Sequence, residues 1–293
     1  MLERFAPAVF VLLWSTGWLA AGFAAQHAEP FTFLALRYAL SILAFVIFCL
    51  VVKARWPRSL SQSLKAVWSG MFLHGFYLAA LWWAIARGVP AGLSGIIAAL
   101  QPLLTAVAAA WLIGERLAKM QKIGLLLGFA GISIAISPKL LAIDPANLAE
   151  TALPLFVNLL GMVSVTYGTV YQKQHLQEGD INSIATLQYV GALLVTGPLA
   201  LLTENLHFDG SATAILTMLW SVFGLSMGAI GLLLYLIRRG QVSKAASLIY
   251  LVPPLVAVEA AIAFGEPLTV PMIIGTVIVV IGVYFTNRRA GRR

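Results

Sequence analysis

Apolar residues run along this chain in ten long stretches separated by short polar gaps. The stretches cover approximately residues 5–24, 31–52, 66–86, 90–113, 120–137, 152–172, 182–203, 212–237, 245–265 and 269–287. At about 1.5 Å per residue, each has the length needed to cross some 30 Å of hydrocarbon. Lipid offers no partner to a backbone N–H or C=O, so such runs must close their hydrogen bonds internally, as helices. The pattern therefore predicts an all-α integral membrane protein of ten transmembrane helices. Its widest gap, Pro138 to Thr151, separates a first unit (1–138) from a second (152–293), with 139–151 as linker.

The two units repeat one another. Pro102, Gly114-Glu115-Arg116-Leu117, Gly124 and Gly131 recur 151 residues later as Pro253, Gly265-Glu266-Pro267-Leu268, Gly275 and Gly282. Leu36-Arg37-Tyr38 matches Leu187-Gln188-Tyr189 at the same offset, and Trp68-Ser69 matches Trp220-Ser221 at 152. A period this long marks two copies of one structural unit. Five helices per copy is an odd number, so the second copy must enter the membrane with opposite polarity. The charges agree. With the N-terminus inside, sixteen of the nineteen Lys and Arg fall in cytoplasmic segments and only Arg87 and Lys139 in outer loops. Arg37 lies within the second helix. This asymmetry predicts both termini in the cytoplasm.

Composition changes the picture little. The chain is 60% hydrophobic and 10% charged, against about 25% charged residues in soluble domains. Mean hydropathy is +0.92 over the whole length. The net charge of +8 does not point to nucleic acid, because the basic residues sit in the gaps between apolar runs. The opening run to Ala24 imitates a secretory signal, but it is about 20 residues long and the repeat needs it as the partner of helix 6. Cys49 is the sole cysteine, so no intrachain disulfide and no cysteine metal cluster is expected.

Inverted five-helix repeats can open a shared midplane site to one side and then the other. Leu13-Trp14-Ser15-Thr16-Gly17, Arg37-Tyr38, Gln101-Pro102 and Gly114-Glu115-Arg116-Leu117, with the echoes Pro253-Pro254 and Gly265-Glu266-Pro267-Leu268, carry a resemblance to a known family. The chain resembles the drug/metabolite transporter superfamily, specifically its ten-helix EamA type. The resemblance covers essentially the whole chain and implies an exporter or exchanger of amino acids or other small metabolites. It also implies a cavity lined by helices 1–4 and 6–9, with 5 and 10 outside.

Polar side chains at membrane depth are costly, so each is a candidate functional group. Arg37 and Glu259 both lie about six residues inside the outer ends of their helices, about 9 Å deep. They are expected either to form an outer gate, with Arg37 meeting a substrate carboxylate once Glu259 lets go, or to be a permanent structural pair. Arg37 snorkelling alone is the third reading. Tyr38 adjoins Arg37, and Gln188 is its neutral counterpart. His74, near the middle of helix 3 with Tyr77 on the same face, is either a coupling-proton carrier or a neutral interhelical bridge. Trp14 and Trp18, with Tyr167 and Tyr171, either wall an apolar or aromatic substrate or pack helices. Gln101 and Tyr250 flank Pro102 and Pro253, which are expected to bend their helices at a hinge or cavity. Gly114 and Gly265 are expected to end helices 4 and 9 in a left-handed turn. Glu115 and Glu266 are then expected to cap the helices that follow, with a coupling role as the alternative.

The function expected is secondary transport of a small metabolite by alternating access, across a bacterial inner membrane or plasma membrane. A uniporter of amphipathic metabolites, a membrane scaffold and a lipid flippase are the alternatives. An enzyme is disfavoured: no DxxD, HxxxH or HExxH pattern occurs, and no P-loop. No metal and no cofactor is expected. The partners expected are a small-molecule substrate and membrane lipid, without nucleic acid. Gly124-x-x-x-Gly128 offers a close-packing face, either within a monomer or between the chains of a homodimer.

Overall fold

The computed structural model describes residues 2–112, 118–141, 148–176, 179–229, 232 and 251–287. Among these the chain forms ten helical rods and no strand. They are α1 (Leu2–Ala24), α2 (Pro30–Val51), α3 (Leu60–Ala86), α4 (Ala91–Ala98 and Leu100–Leu112) and α5 (Lys119–Leu141). The second half holds α6 (Leu148–His175), α7 (Ile181–Thr203), α8 (Ala212–Gly228), α9 (Val252–Phe264) and α10 (Val270–Asn287). Rods α2 to α7 each contain a span long and apolar enough to cross a membrane; α1, α8, α9 and α10 contribute shorter apolar helices.

Several boundaries differ from the hydropathy pattern, each for a local reason. Helix α3 begins at Leu60, not 66, because the Ser59 hydroxyl accepts from the Gln62 N–H at 3.2 Å and caps a polar first turn. Helix α5 runs through Pro138 to Leu141. Proline cannot donate to the Ile134 carbonyl, but the Ser137 hydroxyl does so at 2.7 Å. Helix α4 instead breaks at Ala99, beside the Ala98 carbonyl that Pro102 cannot serve. The described part of α9 likewise opens at Val252-Pro253-Pro254, so the two prolines interrupt the two halves at equivalent places. Gly265 ends α9 with φ 67°, the left-handed cap expected. Gly114, Glu115 and Tyr250 lie outside the described residues.

The repeat is visible as paired contacts. The Trp68 indole N–H on α3 donates to the Tyr167 hydroxyl on α6 at 3.1 Å. Its echo, Trp220 on α8, donates to Thr16 on α1 at 3.0 Å. Glu29 accepts from the His207 N–H at 2.8 Å, and Asp180, 151 residues on, accepts from the Arg55 N–H at 3.3 Å. The third helix of each half also carries π-helix: Met71–Phe76 in α3 and Trp220–Gly228 in α8, with ends 152 residues apart. Such bulges concentrate at functional sites.

Two packing centres result. Helices α5 and α10 meet backbone to backbone: a Cβ at Gly131 would lie 2.7 Å from the Gly275 carbonyl oxygen, and one at Gly282 would lie 2.6 Å from the Gly128 nitrogen. The Gly124-x-x-x-Gly128 face therefore packs within the chain. The other centre joins α2, α3, α7 and α8. There Tyr38 and Tyr189, equivalent residues of the two halves, stack with ring centroids 5.7 Å apart. Phe45 packs on Tyr189 at 5.6 Å.

Candidate functional site

The α2–α3–α7–α8 centre collects most of the buried polar side chains. Arg37 is 6% exposed, and Ser41, Ser69, Gln188, Ser221 and Ser226 are buried with it. The Arg37 guanidinium donates to the Ser226 hydroxyl through Nη2 at 3.3 Å. Its carbon sits 5.9 Å from the ring centroids of both Tyr38 and Trp82. Ser41, one turn along α2, reaches the same Ser226 hydroxyl at 3.3 Å. The Ser226 hydroxyl donates to the Ser221 carbonyl, five residues back within the π-helical segment, at 3.0 Å. The Arg37 Nε has no hydrogen-bond partner. Burying an ion costs several kcal/mol unless it is paired and fully bonded, so Arg37 is held here in a costly arrangement.

Arg37 does not snorkel, and it does not pair with Glu259. Glu259 on α9 accepts instead from the Ser15 hydroxyl on α1 through Oε1 at 2.7 Å, while its buried Oε2 has no partner. The two side chains face different neighbours. The neutral counterpart Gln188 donates to Ser69 at 3.0 Å and is satisfied. Tyr38 donates to the His74 carbonyl at 2.9 Å. The His74 imidazole, in the π-turn of α3, lies against Tyr189 with centroids 5.1 Å apart. Tyr77 is partly buried on the same helix, its backbone carbonyl close to Gly161 of α6.

The aromatic candidates separate. Trp18 is 5% exposed with its indole N–H unpartnered, whereas Trp14 is 42% exposed, its ring tilted against Phe10 with centroids 5.7 Å apart. Tyr167 and Tyr171 lie 6.0 Å apart on α6. That helix packs on α3 and α4, while α1 packs on α9, α8 and α4. The two pairs therefore occupy equivalent helices of the two halves. Gln101 donates to Thr169 on α6 at 3.4 Å.

Glu266 is a cap, but not of the helix that follows. Its two carboxylate oxygens accept from the Ala91 and Gly92 N–H groups at 2.7 and 2.9 Å. These open α4 in the other half, where Pro90 at the N-cap has no side-chain acceptor. Glu204, at the end of α7, does the same for α2, accepting from Phe31 and Thr32 at 2.9 and 2.7 Å. A carboxylate satisfies the orphan donors and faces the positive end of the helix dipole. On the same side His27 and Asp209 pair at 2.7 Å, and Ala28 bridges to Phe208. Asp209 is pushed down to about 2, first by the Ser211 backbone N–H and then by His27. Glu29 is lowered chiefly by the His207 backbone N–H.

Ser226, Glu204 and Asn158, whose amide donates to Ser94 at 2.8 Å, were not among the site residues expected from sequence, and Ser15 entered only as part of the Leu13–Gly17 motif. The signal available was a hydroxyl or amide inside an apolar run at the depth of a charge. Among the described residues no cluster of His, Cys, Asp and Glu is placed to hold a metal.

The model of the EamA-like transporter family matches residues 5–137 and 152–288. The chain is 28% identical to an uncharacterised transporter, YvbV, of Bacillus subtilis, over 97% of this chain and 90% of that one. It is 26% identical to a probable amino-acid metabolite efflux pump of Salmonella typhimurium, over 99% and 98%. A solved crystal structure superposes with a TM-score of 0.69 at 20% identity, covering 99% of both chains, and so shares the fold.

Proposed function

The chain belongs to the EamA-like transporter family, and from that premise we propose that it is a secondary transporter that exports or exchanges a small metabolite, such as an amino acid, by alternating access. All ten rods cross the membrane in this reading, with both termini in the cytoplasm of a bacterial cell. The sixteen cytoplasmic basic residues support the orientation. The observation that carries the proposal is the set of equivalent contacts spaced 151 or 152 residues apart, Trp68–Tyr167 with Trp220–Thr16 and Glu29–His207 with Asp180–Arg55. Two copies of one contact, in halves of opposite polarity, are what an exchange between outward and inward opening needs. The buried Arg37 between them supplies a charged group at membrane depth, where such groups mark substrate or ion pathways. The test is efflux of a labelled metabolite panel from proteoliposomes, with and without an imposed pH gradient. Efflux above protein-free vesicles is expected. Acceleration by the gradient assigns proton coupling, and indifference to it assigns uniport or exchange. No movement of any solute contradicts the proposal.

A further inference from the structure

Three polar side chains lie in one layer of the outer half, Arg37 and Trp18 buried and Glu259 half-buried. Arg37 is the eighth residue of α2, which starts outside at Pro30, so it lies about 10 Å in. Trp18 is six residues from the outer end of α1, and Glu259 five from that of α9, which puts them about 9 and 8 Å in. Each keeps one buried polar atom without a partner: the Arg37 Nε, the Trp18 Nε1 and the Glu259 Oε2. Two are donors, one of them cationic, and the third is an anionic acceptor. Trp18 belongs to the same buried cluster as Tyr38 and Trp82, the rings that flank the guanidinium. Ser15, one turn from Trp18 on α1, holds Glu259. The layer thus presents a positive pole on α2 and a negative pole on α9, with α1 between them.

A cation and an anion at one depth satisfy each other if they pair, and these do not. Each is anchored through one atom by a serine of another helix, Ser226 for Arg37 and Ser15 for Glu259. A ligand with one charge would satisfy one pole and leave the other. A ligand with both charges satisfies both. We infer that this layer is a binding site for a compact zwitterion, its carboxylate on Arg37 and the Trp18 indole N–H, its ammonium on Glu259. The inference rests on the transport reading above and adds which residue holds which pole.

The test uses the full chain in proteoliposomes and counterflow of the L-amino acids alongside uncharged solutes of similar size. The best-transported amino acid is then compared with its amide, which lacks the carboxylate charge, and its N-acetyl derivative, which lacks the ammonium. The wild type is expected to favour the parent about tenfold or more over each, the ratio set by one charged hydrogen bond. Arg37→Gln should erase the preference over the amide and keep that over the N-acetyl compound. Glu259→Gln should do the reverse, and Arg37→Lys, which keeps the charge, should retain both. Equal transport of all three compounds by the wild type overturns the inference and leaves the transport reading intact. So does transport of uncharged solutes alone, or an Arg37→Gln or Glu259→Gln variant that loses both preferences or neither. The wild-type comparison decides the matter even if Arg37→Gln fails to assemble. Failure of the parent reading looks different: no solute of any class moves.

Discussion

The α5–α10 pair and the α2–α3–α7–α8 centre are both built from equivalent elements of the two halves, and they are built in opposite ways. At α5–α10 the contact is glycine on backbone, with Gly131 against Gly275 and Gly282 against Gly128. Such a seam leaves little room for side chains, and in lipid close packing of this kind is a main source of helix association. At the centre the equivalent positions differ in chemistry: Arg37 faces Gln188 across the repeat, and His74 corresponds to Ser226. Gln188 is bonded to Ser69 and satisfied, while Arg37 keeps an unpartnered Nε. Symmetric, apolar contacts hold α5 against α10; in the proposed transporter the asymmetric, polar ones carry the chemistry.

Breaking the dry seam should have the largest effect. Gly131→Val drives a branched side chain into the Gly275 carbonyl and the Val279 nitrogen, neither of which can rotate away. The expected cost is about 3 kcal/mol or more, the upper range of overpacking. Thermal unfolding in detergent should show a marked drop or no assembled protein; an unchanged melting temperature would mean that α5 and α10 are not packed this way. Removing a cap between the halves comes next. Glu266→Ala leaves the Ala91 and Gly92 N–H groups without their acceptor, at about 1–2 kcal/mol. A melting shift comparable with that of an exposed loop substitution would show the cap to be energetically idle.

The clasp between the α1–α2 and α7–α8 loops should matter least. Glu29 and Asp209 both bind protons less readily than free carboxylates do. Their contribution is therefore present above the ordinary carboxylate range near pH 4 and is lost as pH falls toward 2. The melting temperature should fall across that window, and Asp209→Asn should remove part of the slope while shifting neutral-pH stability only slightly, as for any exposed pair. A slope unchanged in the variant would remove Asp209 from the account.

Much of this comparison was legible in the sequence. Offsets of 151 and 152 identified the repeat, and the glycines of α5 and α10 stood seven apart in both copies. Counting residues placed Arg37 and Glu259 at one depth. Counting does not give azimuth, and so the expected ion pair is replaced by bonds to Ser226 and Ser15. The partner of Glu266 was illegible for a different reason. Its acceptor role is local chemistry, but the donors lie 174 and 175 residues away, where only the fold brings them. The π-turns leave hydropathy unchanged, since adding a residue to a turn alters which groups face inward without altering how apolar the run is.

The most direct test sets the two equivalent positions against each other. Efflux of the best-transported amino acid from proteoliposomes should be measured for Arg37→Gln and Gln188→Ala, each normalised to reconstituted protein. The account predicts a loss of about tenfold or more for Arg37→Gln, one charged hydrogen bond to substrate. Gln188→Ala should keep a rate within a few-fold of wild type, because Gln188 serves only Ser69. Equal losses at the two positions, or the larger loss at Gln188, would contradict it.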